Sequence, residues 1–196
     1  AGAKYQDISF GNLFFNPDNG DVLICDNDNV SYGNSKPGGV LGTPGFMAPE
    51  IVRGEARPSR DTDRYSLAVL LFYLFMVNHP LEGKQEASIK CMDMAARVKL
   101  YGTDPIFIFD PDNKTNRPVP GIHDNANIYW PLYPEQLRQL FIKSFTVGLN
   151  NQLSFVGVGK ANIVVADKDT SLYALIEVNV LPADYQSAVD NGISLT

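Results

Sequence analysis

Gly42-Thr43-Pro44-Gly45-Phe46-Met47-Ala48-Pro49-Glu50 is where the fold of this chain is first legible. It closes an irregular segment, Ser31 to Gly45, that is rich in Gly, Pro and Ser and has no apolar period, so a long loop is expected there. Loops of that length inside a domain are usually functional or mobile. Downstream, Asp61 to Met76 opens with acidic and Thr cap candidates and continues as almost unbroken apolar residues, which predicts a helix buried on most sides. Upstream, Leu13-Phe14-Phe15 and Val22-Leu23-Ile24-Cys25 flank Asn16-Pro17-Asp18-Asn19-Gly20-Asp21. Two short apolar runs around an Asn-Gly turn predict a hairpin.

Further along, Glu86 to Tyr101 has mixed helical spacing ending at Gly102, and Pro134 to Val147 sets Leu137, Leu140, Phe141 and Phe145 at helical intervals. Both predict surface helices with one apolar face. Between them, Ile106-Phe107-Ile108-Phe109 reads as a strand, and Asp110 to Gly121 as a polar, Pro-rich surface loop with Trp130 packing beside Pro131 beyond it. After Asn150 the texture changes to alternation: Leu153 to Val158, Ala161 to Ala166, a polar turn at Asp167-Lys168-Asp169-Thr170, then Leu172 to Val180. That is β-sheet sequence. Pro182 to Thr196 reads equally as a linker or a terminal strand.

A net charge of −6 without any dense Lys/Arg run argues against nucleic acid or an anionic membrane as the main partner. The longest apolar run, Leu67 to Val77, is far shorter than the roughly 20 residues a bilayer span needs. Ala1-Gly2-Ala3-Lys4 has no initiator Met and no apolar signal region, so the chain reads as part of something longer. Cys25 and Cys91 are far apart in apolar settings, which predicts two buried thiols rather than a zinc site or disulfide. His79 and His123 lack ligand spacing and read as structural or solvent-facing.

The chemistry is concentrated at the start. In Asp7-Ile8-Ser9-Phe10-Gly11-Asn12 a carboxylate and an amide stand five positions apart just before the hairpin. Phosphoryl transfer uses such a pair, the carboxylate orienting a hydroxyl and accepting its proton and the amide binding a divalent cation. The hairpin ends in Cys25-Asp26-Asn27-Asp28, and the Gly42 to Glu50 stretch follows. In that order and spacing the chain resembles the C-terminal lobe of the protein kinases, and of bacterial Ser/Thr kinase-like proteins in particular.

The resemblance implies an α+β fold: a mainly helical kinase-like C-lobe with a short β-hairpin, at about residues 1–150. It implies Asp7 as catalytic base, with Thr43 in the substrate-docking loop. Asn12 and Asp26 would bind Mg²⁺ and, through it, ATP. Glu50 of Ala48-Pro49-Glu50 and Asp63 of the central helix would be structural supports, Asp63 holding the catalytic-loop backbone. Asp28 reads as either a further metal oxygen or part of an Asx-rich turn. Asp63 reads alternatively as a helix cap together with Asp61.

Four departures from the family pattern matter. Tyr5-Gln6 replaces the His-Arg before the catalytic Asp, so no cation receives an activation-loop phosphate, and switching by phosphorylation at Ser31, Tyr32 or Ser35 is not expected. Ser9 stands where the family has a Lys that offsets phosphoryl charge. Asn27 and Asp28 replace the Phe-Gly after the metal-binding Asp. No Arg follows Asn150 to pair with Glu50 as in the family, so Glu50 is either solvated or lacks its partner segment.

No Gly-rich loop or strand Lys precedes Tyr5, and an N-lobe is expected in the parent protein. Gly157-Val158-Gly159-Lys160 lacks the full phosphate-loop spacing and reads as a tight turn between strands. The segment from Phe155 to Asp167, with Glu177-Val178-Asn179-Val180, resembles the closing strands of a bacterial immunoglobulin-like repeat. A generic β-hairpin is the other reading. The expected organisation is thus 1–150 kinase-like, 151–182 β-rich and 183–196 linker or terminal strand.

The function implied is transfer of the ATP γ-phosphate to a Ser/Thr hydroxyl, with a protein substrate or regulatory protein as partner, in the cytoplasm. The alternative is a noncatalytic scaffold, or a surface module if the immunoglobulin-like segment dominates, which would place the protein outside the cell.

Overall fold

A short strand, β1 (Ala3–Lys4), opens the described part of the chain; the computed structural model describes residues 3–26, 28, 30–32, 39–146, 159–166 and 173–180. These fall in two units, Ala1–Leu13 with Ile24–Ser154 and Phe14–Leu23 with Phe155–Thr196. A 3-10 turn at Phe10–Asn12 leads into β2 (Leu13–Phe15), which pairs with β3 (Val22–Ile24) as the expected hairpin. Its turn closes with Asn16 N bonding Asp21 O and Gly20 N bonding Asn16 O, both at 2.9 Å. Strand β4 (Ser31–Tyr32) then returns antiparallel to β1, with Lys4 opposite Ser31.

Helix α1 (Pro49–Val52) starts with Pro at its first position, where the missing N–H costs nothing. Helix α2 (Arg60–Met76) is the long central helix. Its cap is Ser59, not the acidic or Thr residues expected from sequence: Ser59 Oγ accepts from Asp61 N and Thr62 N, and Thr62 Oγ1 accepts from Ser59 N at 2.8 Å. Ser59 sits one residue before the first helical position, and Thr62 closes the reciprocal box. The helix ends in a left-handed turn at Val77, φ 49°. Its burial is less complete than its composition suggests, since Leu67 and Leu74 face outward.

The buried face of α2 meets an aromatic cluster. Phe72 is fully buried, with the rings of Phe107, Phe141 and Phe145 centred 5.6, 5.1 and 5.8 Å away, each near-perpendicular. That edge-to-face arrangement is the one ring quadrupoles favour. Phe141 and Phe145 come from α6 (Glu135–Phe145), reached after α3 (Lys84–Ala87), α4 (Met94–Val98) and α5 (Asp124–Tyr129). The single helix expected from Glu86 to Tyr101 is instead α3, α4 and a π-turn at Lys99–Thr103. Its apolar residues serve another centre, where Leu81, Leu100 and Tyr101 pack with Val52, Ile89 and Met92.

Two further expectations are corrected. Ile106 to Phe109 is not a strand: Phe107, Ile108 and Phe109 are all buried, and Ile108 N bonds Pro80 O, so this is a buried turn rather than a sheet element. A short apolar run does not distinguish the two by period. Trp130 is a packing residue as expected, stacked on Phe109 at 4.3 Å with planes 7° apart. Cys91 is exposed and Cys25 only half-buried, because the segment around Cys91 lies outside the helices whose faces make the core.

In the second unit, β5 (Gly159–Ala166) and β6 (Tyr173–Val180) pair antiparallel from Gly159 opposite Val180 to Ala166 opposite Tyr173. Gly159 and Lys160 are therefore strand residues and not the expected turn. Leu153 to Val158, the turn at Asp167 to Thr170 and the stretch 182–196 lie outside the described residues. No described helix is long and apolar enough to cross a membrane.

Candidate active site

The site begins with a carboxylate holding a strained backbone. Gln6 has φ 74°, in the left-handed region that a non-glycine residue adopts at a cost of about 1–3 kcal/mol. It is fixed there by Asp63, from the first turn of α2, whose Oδ2 accepts Tyr5 N at 2.7 Å and whose Oδ1 accepts Gln6 N at 2.9 Å. Asp63 thus holds the Tyr5–Gln6 backbone, and Ser59 does the capping. Burial pushes the Asp63 carboxyl above its ordinary range, opposed by the two N–H bonds and the charge of Lys4.

Immediately after this turn, Asp7 is gripped on both oxygens. Thr43 Oγ1 donates to Oδ1 at 2.6 Å, and Asn12 Nδ2 donates to Oδ2 at 3.0 Å and to the Asp7 carbonyl at 2.8 Å. The 3-10 turn Phe10–Asn12 brings Asn12 back over Asp7, closed by Asn12 N on Ser9 O at 3.2 Å. Thr43 arrives from the other direction because Gly42 passes close to the backbone at Gln6. A Cβ on Gly42 would lie 3.2 Å from Gln6 O and 3.0 Å from Met47 Cγ, and its φ of 118° already excludes most side chains.

Tyr5 links this loop to the end of the hairpin. Its hydroxyl donates to Cys25 O, while Cys25 N donates to Asn12 O at 2.9 Å. Burial first, then the negative charges of Asp26 and Asp7, raise the Tyr5 phenol above its ordinary value, so both carboxylates act on one ring. Asp26 is exposed and also left-handed, φ 55°. Asp28 is exposed, and Asn27 and Asn29 beside it lie outside the described residues.

The donor chemistry fits a small hard cation. Asn12 has its Nδ2 committed to Asp7, which leaves the amide oxygen as its ligand atom, and Asp26 offers exposed carboxylate oxygen. Among the described residues no group of three or more His, Cys, Asp and Glu is arranged to hold a metal ion. Mg²⁺ needs no such cage: one or two protein oxygens plus phosphate oxygens and water are its usual set.

The remaining expectations fall around this centre. Glu50 is half-buried in the first turn of α1 and makes no ion pair among the described residues; its carbonyl accepts Glu55 N and Ala56 N. Ser9 is buried, and no Lys or Arg pairs with Asp7 among the described residues.

Three features escaped sequence reasoning. Gln6 Nε2 donates to Ser31 Oγ at 2.9 Å, a neutral tie to β4. Ser66 Oγ donates to Phe46 O at 2.8 Å, and His79 Nε2 lies 2.7 Å from Gly45 O. A Ser and a His in or just after a strongly apolar helix were the available signals, since such groups need partners when buried.

A model of the protein kinase domain family matches residues 1–154. Similar proteins include a probable serine/threonine-protein kinase, CCRP1, of Zea mays, 32% identical over 81 residues, or 40% of this chain and 13% of that protein. Protein kinase C-like 1 of Candida albicans is 34% identical over 92 residues, 45% of this chain and 8% of that protein. The serine/threonine-protein kinase PknD of Chlamydia abortus is 42% identical over 53 residues, 27% of this chain and 6% of that protein. The matched part is thus a small fraction of each relative.

Proposed function

We propose, from the premise that this chain belongs to the protein kinase domain family, that it is the catalytic lobe of a phosphotransferase moving the ATP γ-phosphate to a Ser/Thr hydroxyl of a protein. The observation that carries this is the clamp on Asp7, one oxygen on the Thr43 hydroxyl and the other on the Asn12 amide. A carboxylate held by two neutral donors points in a fixed direction, which is what accepting a hydroxyl proton requires. Asp7 is then the base, Thr43 aligns it beside the docking loop, and Asn12 and Asp26 are the Mg²⁺ ligands, with Asp28 a further oxygen. Bound Mg²⁺ supplies neutralisation of phosphate charge.

Asp63 keeps the loop in register, and Glu50 supports the docking loop from α1. The nucleotide is held against this lobe by an N-lobe in the full-length protein. We read the lobe as residues 1–150, of the bacterial Ser/Thr type and acting in the cytoplasm. The β5–β6 hairpin belongs to a separate β-rich, immunoglobulin-like segment, 151–182, followed by a linker or terminal strand at 183–196.

The test is transfer from labelled ATP by the full-length protein. Asp7→Ala is expected to lower kcat by about 10²–10⁴-fold, the range of general-base contributions. Wild-type turnover in that variant would sink the assignment.

One observation favours a second reading, a noncatalytic scaffold. Ser9 is buried where the family pattern has a Lys, and no Lys or Arg pairs with Asp7 among the described residues to offset phosphoryl charge. On that reading Mg²⁺-ATP leaves the melting temperature of the full-length protein unchanged, whereas on the first it raises it.

A further inference from the structure

Two successive carbonyls of the loop that carries Thr43 are held by side chains of α2 or its end. Ser66 takes that of Phe46, and His79 takes that of Gly45. Gly45 has φ 87° with open space where a Cβ would stand, so neighbouring side chains do not wedge it in place. Its peptide is held from two sides, by the Phe46 N–H on Thr43 O and by the bond its carbonyl makes to His79.

His79 is 1% exposed, and both ring nitrogens are engaged. Nδ1 accepts Leu81 N–H at 3.0 Å. A main-chain N–H only donates, so Nδ1 carries no proton, and the proton sits on Nε2, which donates to Gly45 O. The ring is therefore neutral. The titratable groups around it are Tyr73 from α2 and Tyr101 from the π-turn, with ring centres 5.5 and 5.1 Å away, and Glu82, which accepts the Tyr101 hydroxyl. Glu86 acts farther out, on Tyr73. The loop residues Gly42 to Phe46 bring no titratable group.

We infer that neutral His79 is the positioning residue of the docking loop: its bond to Gly45 sets where Thr43 meets Asp7, and a proton on Nδ1 loosens the loop by opening the turn from His79 to Glu82 that seats the ring against it. With that proton, Nδ1–H would confront Leu81 N–H, donor against donor, and the turn from His79 to Glu82 must open. Burial holds the imidazole below its ordinary value, while the Glu82 charge and the Gly45 carbonyl pull it back up. The latch is closed at neutral pH and opens in acid. Calling this loop the docking loop rests on the function proposed above; the latch itself does not.

The experiment compares His79→Asn with His79→Gln in the full 196-residue chain. The Asn amide occupies the place of Nδ1 and keeps an acceptor for Leu81 but does not reach Gly45. The Gln amide extends toward the place of Nε2 and keeps that donor. The readout is amide exchange at Phe46, whose N–H bonds Thr43 O at 3.0 Å. The Asn variant is expected to lose about tenfold in Phe46 protection, the worth of one hydrogen bond, with α2 amides unchanged and the Gln variant close to wild type. Wild-type protection, corrected for intrinsic exchange, falls as the pH drops below about 6.5, and that of the Gln variant does not.

Equal Phe46 protection in wild type and the Asn variant would overturn the latch. So would loss in both variants in step with α2, which marks a packing role alone. In the full-length protein the Asn variant is expected to raise KM for a peptide substrate more than it lowers kcat, with Gln restoring it. A wild type that transfers no phosphate would remove the kinase reading and leave the exchange result to decide the latch.

Discussion

Helix α2 carries two regions of opposite construction. At its middle, Phe72 lies among Phe107, Phe141 and Phe145, held by many weak contacts with only a loose preference of direction. At its first turn, Asp63 holds Tyr5 and Gln6 by two bonds, and through them the backbone that presents Asp7 to Thr43 and Asn12. The core spreads its energy over area and tolerates swaps that keep volume. The site concentrates its energy in a few directed bonds, so removing one acceptor strands two donors.

That contrast is open to attack by substitution. Phe72→Ala removes the ring at the centre of the cluster and is expected to cost about 3–5 kcal/mol, read as a shift in the denaturant midpoint. Phe72→Leu should cost much less, and equal costs would show that the cluster is not the core. Asp63→Ala leaves two half-buried N–H groups without an acceptor and should cost roughly 2–4 kcal/mol. Here the smaller change does not rescue fully: Asp63→Asn keeps only one acceptor and should recover about half. If Ala and Asn behave alike, charge matters at this position rather than acceptor count.

Smaller effects sharpen the same comparison. Ser59→Ala removes the cap of α2 and should cost about 1 kcal/mol, and Ser59→Asp should be close to neutral. Acid probes the loop tie instead. The His79 imidazole is lowered in the folded protein, so its contribution to stability is complete above the ordinary value of 6.5 and declines as the pH falls through the folded value. A pH titration of the midpoint should show this decline in wild type and a flatter profile in His79→Gln.

How much of this was legible in the sequence depended on how local each feature is. The hairpin was readable because its turn chemistry sits within six residues, Asn16 to Asp21, and closes on itself. Asp7, Asn12 and Thr43 were readable as a set, and they do meet. Asp28 is exposed near the end of the hairpin, and Asn27 and Asn29 beside it lie outside the described residues. Glu86 to Tyr101 was misread because α3, α4 and the π-turn are too short to be stable alone and take their form from what they pack against. Ile106 to Phe109 failed for the same reason, since burial of consecutive residues leaves no period to read.

The sequence by itself determined the order of the parts: a carboxylate and amide before a hairpin, an acid at its end, a Gly-Thr-Pro loop, and one long apolar helix. Those follow from spacing and side-chain type, which survive without coordinates. The tertiary structure alone decided that Asp63 holds Gln6 in a left-handed turn, and that Ser66 and His79 grip the carbonyls of Phe46 and Gly45. Such bonds join residues 20 to 58 positions apart. Whether a polar side chain in an apolar helix faces water or a distant carbonyl depends on which segments the core draws together, and no local pattern encodes that.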